Sequence, residues 1–305
     1  MANGLPTTKL GRTNLEVTKL GFGAMEIRGL PRGREVTAAQ ADTILNAVLD
    51  SGINYIDTSI DYGLSEGFIG DFISNRRDEY FLASKCGCMV NGPVVPSGRQ
   101  PHLYTKENIV LGIEQSLRRM KTDYLDVVQF HGSPSQETLE ENGAIDTVLE
   151  LKEQGKIRHI GMSGTLPNLP KQIDMGVFDV LQIPYSALER QHEDLISKAS
   201  GADIGNVIRG GVAKGEPSVS GVPQPDPWKT FEHAGLDDLI DEGESRTDFL
   251  LRFTLSHPGM HTTIVGTLNP DHLNQNVTAA AKGPLAADVY EKAKSQLAAA
   301  GQTSA

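Results

Sequence analysis

TKENIVLGIEQSLRRMKTDYLDVVQFH (105–131) holds one helix and one strand in the order that decides the fold. Thr105 is placed to cap a helix over 106–120, and the apolar run YLDVVQFH (124–131) reads as a strand ending on a histidine. The same alternation repeats in both directions. Upstream, LEVTKLGFGAM (15–25) predicts a first strand. TAAQADTILNAVLDSG (37–52) predicts a helix with Thr37 and Gln40 as a capping box and Gly52 at its end. INYIDTS (53–59) predicts strand two, SEGFIGDFIS (65–74) a short helix and YFLASK (80–85) strand three. Downstream, a helix over 137–155 leads to strand five, KIRHIGMSG (156–164). LPKQIDMG (169–176) is helical, and FDVLQIPY (178–185) is strand six. A helix near 189–200, strand seven (203–211), a Pro- and Gly-bearing loop (212–233) and a helix over 247–257 follow. HTTIVG (261–266) is strand eight; the next helix, 270–281, has Asn269 as cap and Pro270 at its first position. A last helix spans 286–300.

Eight strand–helix units in succession imply a parallel sheet closed on itself. The expected fold class is therefore α/β, a (β/α)8 TIM barrel with an N-terminal β-hairpin and an extra C-terminal helix. With neither a linker nor a shift in composition, residues 1–305 are expected to form one domain.

Composition narrows the function. Hydrophobic residues are 38% and charged residues 22%, as in globular proteins. A net charge of −11 without runs of like charge argues against a nucleic-acid partner, though not against one bound nucleotide. Cys86 and Cys88 have no second pair and no His cluster beside them in the sequence, so no metal site and no disulfide framework are expected. That fits a reducing compartment. MANGLPTTKLG lacks the apolar stretch of a signal peptide, and no run approaches the ~18 apolar residues of a membrane span. The expectation is a cytoplasmic protein without membrane contact.

Barrel enzymes place their chemistry at the carboxyl ends of the strands. Strand two ends in Asp57, with Tyr62 just beyond it. Strand three ends in Lys85, strand four in His131 and strand five in Ser163. Gln182 lies on strand six and Arg209 on strand seven. Each alone has a structural explanation; together they converge on one mouth.

INYIDTSIDYGLSE (53–66), FLASKCG (81–87), DYLDVVQFHG (123–132) and GKIRHIGMSG (155–164) give the chain its resemblance to the aldo-keto reductases along nearly its whole length. The resemblance implies catalytic roles for Asp57, Tyr62, Lys85 and His131. Tyrosine can protonate the carbonyl oxygen, but its free pKa is ~10. A neighbouring ammonium, Lys85, would pull that value down; Asp57 would keep Lys85 charged and in place; neutral His131 would hold the substrate oxygen. The hydride would come from the cofactor, so no metal is needed.

The same resemblance implies a cofactor cleft edged by Gly23, Met25 and Asp57. Ser163, Gly164 and Gln182 would lie against the nicotinamide carboxamide, and Arg209 would stack on the ring. The family usually has Ser-Asn at 163–164 and an aromatic residue at 209. Gly210, Gly211, Val212 and Gly215 would approach the pyrophosphate. Gly266, Thr267, Asn269, His272, Gln275 and Asn276 would hold the adenosine phosphate. NADPH is the expected cofactor, with NADH also accepted, because 266–276 contains no Lys or Arg for a 2′-phosphate while Lys214 or Lys229 could reach in.

Some signals are discounted. GFGAM (21–25) opens like a Rossmann fingerprint, but Glu26 stands at the third glycine position. Cys86 and Cys88 read as bystanders, and His257, His261 and His272 as surface residues. Loops 25–35, 86–104 and 212–233 would build the substrate pocket, with Tyr104, Tyr185 and Trp228 as candidate linings; Trp228 reads equally well as a loop anchor. The expected activity is NAD(P)H-dependent reduction of an aldehyde or ketone, including sugar-type carbonyls. Physiological oxidation of an alcohol or sugar, and a cofactor-sensing regulatory protein of the same fold, are the alternatives. Oligomeric state is left open.

Overall fold

The computed structural model describes residues 4–90, 101–212 and 227–304. Two short strands, β1 (Thr7–Lys9) and β2 (Glu16–Thr18), form an antiparallel hairpin. The barrel follows: β3 (Leu20–Gly23), β4 (Tyr55–Asp57), β5 (Phe81–Cys86), β6 (Leu125–Phe130), β7 (Ile157–Ser163), β8 (Val180–Pro184), β9 (Gly205–Arg209) and β10 (Thr262–Val265). All eight pair in parallel, and β10 closes against β3. The expected barrel, N-terminal hairpin and C-terminal helix are all present.

Helices α1 (Ala38–Asp50), α2 (Ser65–Phe72), α3 (Lys106–Met120), α4 (Gln136–Glu141), α5 (Ala144–Glu153), α6 (Leu169–Asp174), α7 (Glu193–Gly201), α8 (Pro227–His233), α9 (Arg246–Leu255), α10 (Pro270–Lys282) and α11 (Ala287–Ala299) surround the sheet. Their starts follow the chemistry of their caps. Thr37 and Gln40 form the reciprocal capping box on α1, and Ser245 with Asp248 forms another on α9. Asn269 accepts the Asp271 N–H at the head of α10, with Pro270 next. The apolar helix faces, such as Ile44, Leu45 and Val48 on α1, are buried in one core against the outward side chains of the strands. Each such side chain contributes roughly 1.5–3 kcal/mol.

Three expectations need correction. The single strand over 15–25 is two, because 16–18 pairs with β1 while 20–23 turns into the barrel. The helix over 137–155 breaks at Asn142–Gly143, where Gly143 takes a left-handed conformation (φ 59°). The loop over 212–233 is not all loop: its end is α8, so Trp228 is helical.

The hairpin plugs the barrel floor. Leu10, Leu15 and Val17 pack with Tyr55, Ala83, Val127, Val180 and Val207, the inward residues of five strands. Arg12 N–H donates to Asp203 O just before β9, which fixes the plug at the amino end. Side chains of a strand alternate faces, so the next inward positions are two residues on. They are Asp57, Lys85, Gln129, Gln182 and Arg209: a polar layer directly above an apolar one. Among the described residues no helix is long and apolar enough to cross a membrane.

Candidate active site

Lys85 and Asp57 stand on neighbouring strands, and Lys85 Nζ donates to Asp57 Oδ2 at 2.6 Å and to the Thr58 carbonyl at 2.7 Å. Gln129 and Gln182 each donate an amide N–H to Asp57 Oδ1 at 2.8 Å. Every carboxylate oxygen is thus partnered, which a buried charge requires. Burial works against the Lys85 ammonium, but Asp57 and Tyr62 outweigh it, and its pKa is raised. Lys85 is therefore a fixed cation buried inside the barrel.

Above it lies Tyr62. The 59–65 turn holds it in place: Tyr62 N–H donates to Ser59 O, and Ser65 N–H donates to Tyr62 O. Lys85 Nζ is 5.0 Å from the centre of the Tyr62 ring, and His131 meets that ring edge-on at 6.2 Å. All four expected catalytic side chains are in one cluster. The expected lowering of the Tyr62 pKa is not realised in this structure: the value is raised. Burial raises it and is the largest effect; Lys85 and Arg209 pull it down but do not prevail. His131 is held well below its ordinary value by burial first, then by Lys85, His102, Arg209 and Arg32. It is neutral, as its expected role as a hydrogen-bond donor demands.

His131 has unexpected company. Cys88 Sγ lies 3.0 Å from His131 Nδ1, and the His102 ring sits edge-on to His131 with centroids 5.2 Å apart. The sequence expectation that no histidines gather at the cysteines does not hold in space, because residues 88 and 102 form an antiparallel bridge that brings both to His131. Tyr104 is buried. Its ring fills the space left open by Gly87, and its hydroxyl donates to the His131 carbonyl. Tyr185 is fully buried against Tyr290 and His257. Trp228 packs edge-on against Phe231 with Arg246 5.7 Å from its ring, in the helix layer. Tyr104 and Tyr185 are thus packing residues.

The expected cofactor residues spread over the neighbouring strand ends. Ser163 ends β7 and Arg209 ends β9, where Arg209 acts electrostatically on both Tyr62 and His131. Gln182 uses its amide N–H on Asp57. At Gly164, where the family usually has asparagine, a Cβ would lie 2.6 Å from Gln172 Oε1 and 2.7 Å from Leu169 Cδ1, so a side chain there would require those two side-chain ends to move. Gly211 and Gly266 are glycines for packing reasons: a Cβ would meet Thr263 Oγ1 at 2.5 Å and the Gly23 carbonyl at 2.5 Å respectively. Gly210 takes a left-handed φ of 75°, and Val212 follows it partly exposed. Met25 is exposed beside Gly23 at the end of β3. Thr267 and Asn269 organise the head of α10. His272 and Gln275 are exposed on that helix, and Asn276 is buried. This donor set of hydroxyls, amides and a helix N-terminus suits an anionic nucleotide. Gly215 and Lys214 lie outside the described residues.

Sequence reasoning missed Gln129, Cys88, His102 and the Arg32–Asp61 ion pair (2.5 Å), which ties loop 28–35 to the turn that carries Tyr62. Gln129 had a signal: it precedes His131 by two and so shares its face. His257 and His261 are not surface residues. His257 is buried and His261 partly so, each accepting a backbone N–H at Nδ1. His272 is exposed as expected.

Comparison with known proteins agrees with this geometry. Residues 19–297 match the family model described as Aldo/keto reductase family. Among solved structures, the holo form of an aldo-keto reductase, AKR11C1 from Bacillus halodurans, superposes with a TM-score of 0.82 at 28% identity over 96% of both chains. An uncharacterized oxidoreductase, YqkF of Bacillus subtilis, is 29% identical over 287 residues, 89% of this chain and 90% of the relative. The L-galactose dehydrogenase of Arabidopsis thaliana is 27% identical, over 88% of this chain and 86% of the relative.

Proposed function

Starting from the premise that the chain belongs to the aldo/keto reductase family, we propose that it reduces an aldehyde or ketone to the alcohol with a nicotinamide cofactor, Tyr62 acting as the general acid. The observation that carries this reading is the buried Asp57–Lys85 pair set 5.0 Å from the Tyr62 ring. The bound cofactor supplies the hydride. The chain's own residues handle the oxygen. Tyr62 gives it the proton, and Lys85 stabilises the tyrosinate that remains, offsetting the burial that holds the phenol protonated. Neutral His131 donates a hydrogen bond to the same oxygen and fixes the carbonyl in line for transfer. Ser163 and Arg209 orient the nicotinamide, and the head of α10 with Thr267, Asn269 and His272 receives the adenosine phosphate.

The direct test is loss of the near-ultraviolet absorbance of reduced nicotinamide with a panel of aldehydes and ketones. Turnover is expected with NADPH. NADH is expected to serve at a penalty below ~100-fold in kcat/KM, or roughly 3 kcal/mol, because Asp271 and His272 head α10 without Lys or Arg. His272→Ala should narrow the gap. No turnover across the panel with either cofactor would defeat the reading. Similarity to an L-galactose dehydrogenase favours including sugars and their oxidation with NAD+ or NADP+ in that panel.

A further inference from the structure

The cysteine and histidine gathered at His131 make a ligand set in which the proposed reduction uses only His131. One donor atom from each of Cys88, His102 and His131 lies within 4.8 Å of the others. The set is built rather than accidental. The backbone bridge between residues 88 and 102 fixes the first two. Asn108 clamps both sides of that bridge, donating to Cys88 O at 3.1 Å and to Leu103 O at 2.7 Å. The His102 ring stacks on Tyr104 at 6.1 Å and lies over Gly132, where a Cβ would come within 2.8 Å of the imidazole. Tyr104 in turn is tied to the His131 backbone. Cys88 is buried while His102 is exposed, so the set opens to solvent on the His102 side.

We propose that Cys88, His102 and His131 bind one borderline-soft divalent ion of the zinc type, and that this ion is an inhibitor rather than a cofactor. Zinc takes thiolate and imidazole ligands, and sites with three protein ligands leave the fourth position to water. Ideal bonds of about 2.3 Å to sulfur and about 2.0–2.1 Å to nitrogen put neighbouring donors about 3.3–3.6 Å apart. The 3.0 Å Sγ···Nδ1 contact must open slightly and His102 must swing in. On binding, the thiol loses its proton to solvent and the sulfur donates its electron pair to the metal. Binding itself is independent of the reductase reading. Inhibition rests on it: as the 3.0 Å contact opens to admit the ion at Nδ1, the His131 ring that would hold the substrate oxygen is shifted from its place.

The test titrates metal-free protein with cobalt(II) and then displaces it with zinc(II). The expected result is one equivalent bound, with a thiolate-to-cobalt charge-transfer band. Cys88→Ser should abolish the band, and His102→Gln should weaken binding at least ~10-fold. His233→Gln, on the exposed end of α8, should change neither. His102 is exposed, so its variant folds if the melting temperature is kept. In turnover assays zinc should inhibit the native protein at the concentration that fills the site, EDTA should reverse it, and His102→Gln should resist it. Absence of the band, or unchanged affinity in both site variants, overturns the site. Binding without inhibition of an active enzyme overturns the inhibitory role alone. Absence of any turnover in metal-free protein counts against the reductase reading, and the cobalt titration still decides the site.

Discussion

Two buried carboxylates in this barrel carry out different work with similar partners. Asp126, the outward neighbour of Val127 on β6, accepts from Arg77 at 2.7 Å, Arg158 at 3.0 Å and the Leu82 N–H at 2.9 Å. Both guanidinium groups also contact the Tyr124 ring, 4.2 Å and 3.7 Å from its centre. Asp57 points into the barrel and accepts from Lys85, Gln129 and Gln182. The difference is in the cations. Arg158 is 48% exposed in its side chain, so the outer cluster keeps contact with water. The Lys85 side chain is 0% exposed, so its desolvation is offset by the Asp57 charge and by hydrogen bonds without help from water. A fully desolvated pair is weak evidence for stability. Its value here is the field it exerts on Tyr62 and His131, both of which respond to Lys85.

The sharpest way to break this comparison is at the proton donor. Tyr62→Phe removes one hydroxyl and leaves the Asp57–Lys85 pair intact. Turnover is expected to fall ~100- to 10,000-fold or more, while cofactor affinity by fluorescence quenching stays near native. Near-native turnover would show that the field is not aimed at Tyr62. Next, Asp57→Asn leaves Lys85 buried with its main counter-charge gone. The expected outcome is a loss of about 3–5 kcal/mol in denaturant unfolding, together with lower turnover and a shifted pH profile of reduction. Lys85→Met should shift that profile too. If the profile moves in neither variant, the pair is structural and the contrast with Asp126 collapses.

How much of this was legible in the sequence follows from which forces leave local traces. The barrel was readable because a strand buried on both faces is predominantly apolar, as in LDVVQF (125–130), where Asp126 and Gln129 alone interrupt the run, while its covering helix needs only one apolar face. Asp57, Lys85 and Ser163 were readable because a polar residue at the end of such a run stands out. Gln129 was hidden inside a run, and its partner Asp57 is 72 residues away. Cys88 and His102 were hidden because a single backbone bridge across a loop gives no periodic signal. The break at residue 19 was hidden because an apolar run does not say which strand it pairs with. His257 was expected at the surface, yet the turn that carries it folds inward over α7.

The outer cluster gives a third, smaller effect. Asp126→Asn removes the counter-charge of Arg77 and Arg158, of which Arg158 keeps contact with water. A loss of roughly 1–3 kcal/mol in unfolding free energy is expected from the weakened charge-assisted hydrogen bonds, with kcat within about twofold of native. A large fall in kcat with unchanged stability would reverse the assignment of roles.

The smallest effect tests the opposite strategy, in which a titratable group is buried without a charge. His257 is 3% exposed. Its Nδ1 accepts the Gly259 N–H at 3.1 Å, so the ring proton is on Nε2 and donates to Glu193 O at 3.2 Å. Burial lowers its pKa, and the nearby Glu193 charge does not restore it. In the unfolded chain the ring titrates near ~6.5. Between the lowered folded value and that value the unfolded state binds more protons than the folded state. Stability therefore rises with pH across this window. His257 contributes fully above the unfolded value, and its contribution is lost as pH falls below it. The slope for one proton is at most about 1.4 kcal/mol per pH unit. His131, His192 and His261 are lowered in the same direction by burial, so the native slope in acid combines several groups. His257→Gln isolates one of them. Urea unfolding from neutral pH into mild acid should show the native protein losing stability more steeply than the variant. The two curves should differ in slope by no more than that one-proton limit and run parallel above neutrality. Parallel curves throughout would mean that His257 titrates alike in the folded and unfolded states, so that burial does not lower its pKa and its Nδ1 does not accept from Gly259.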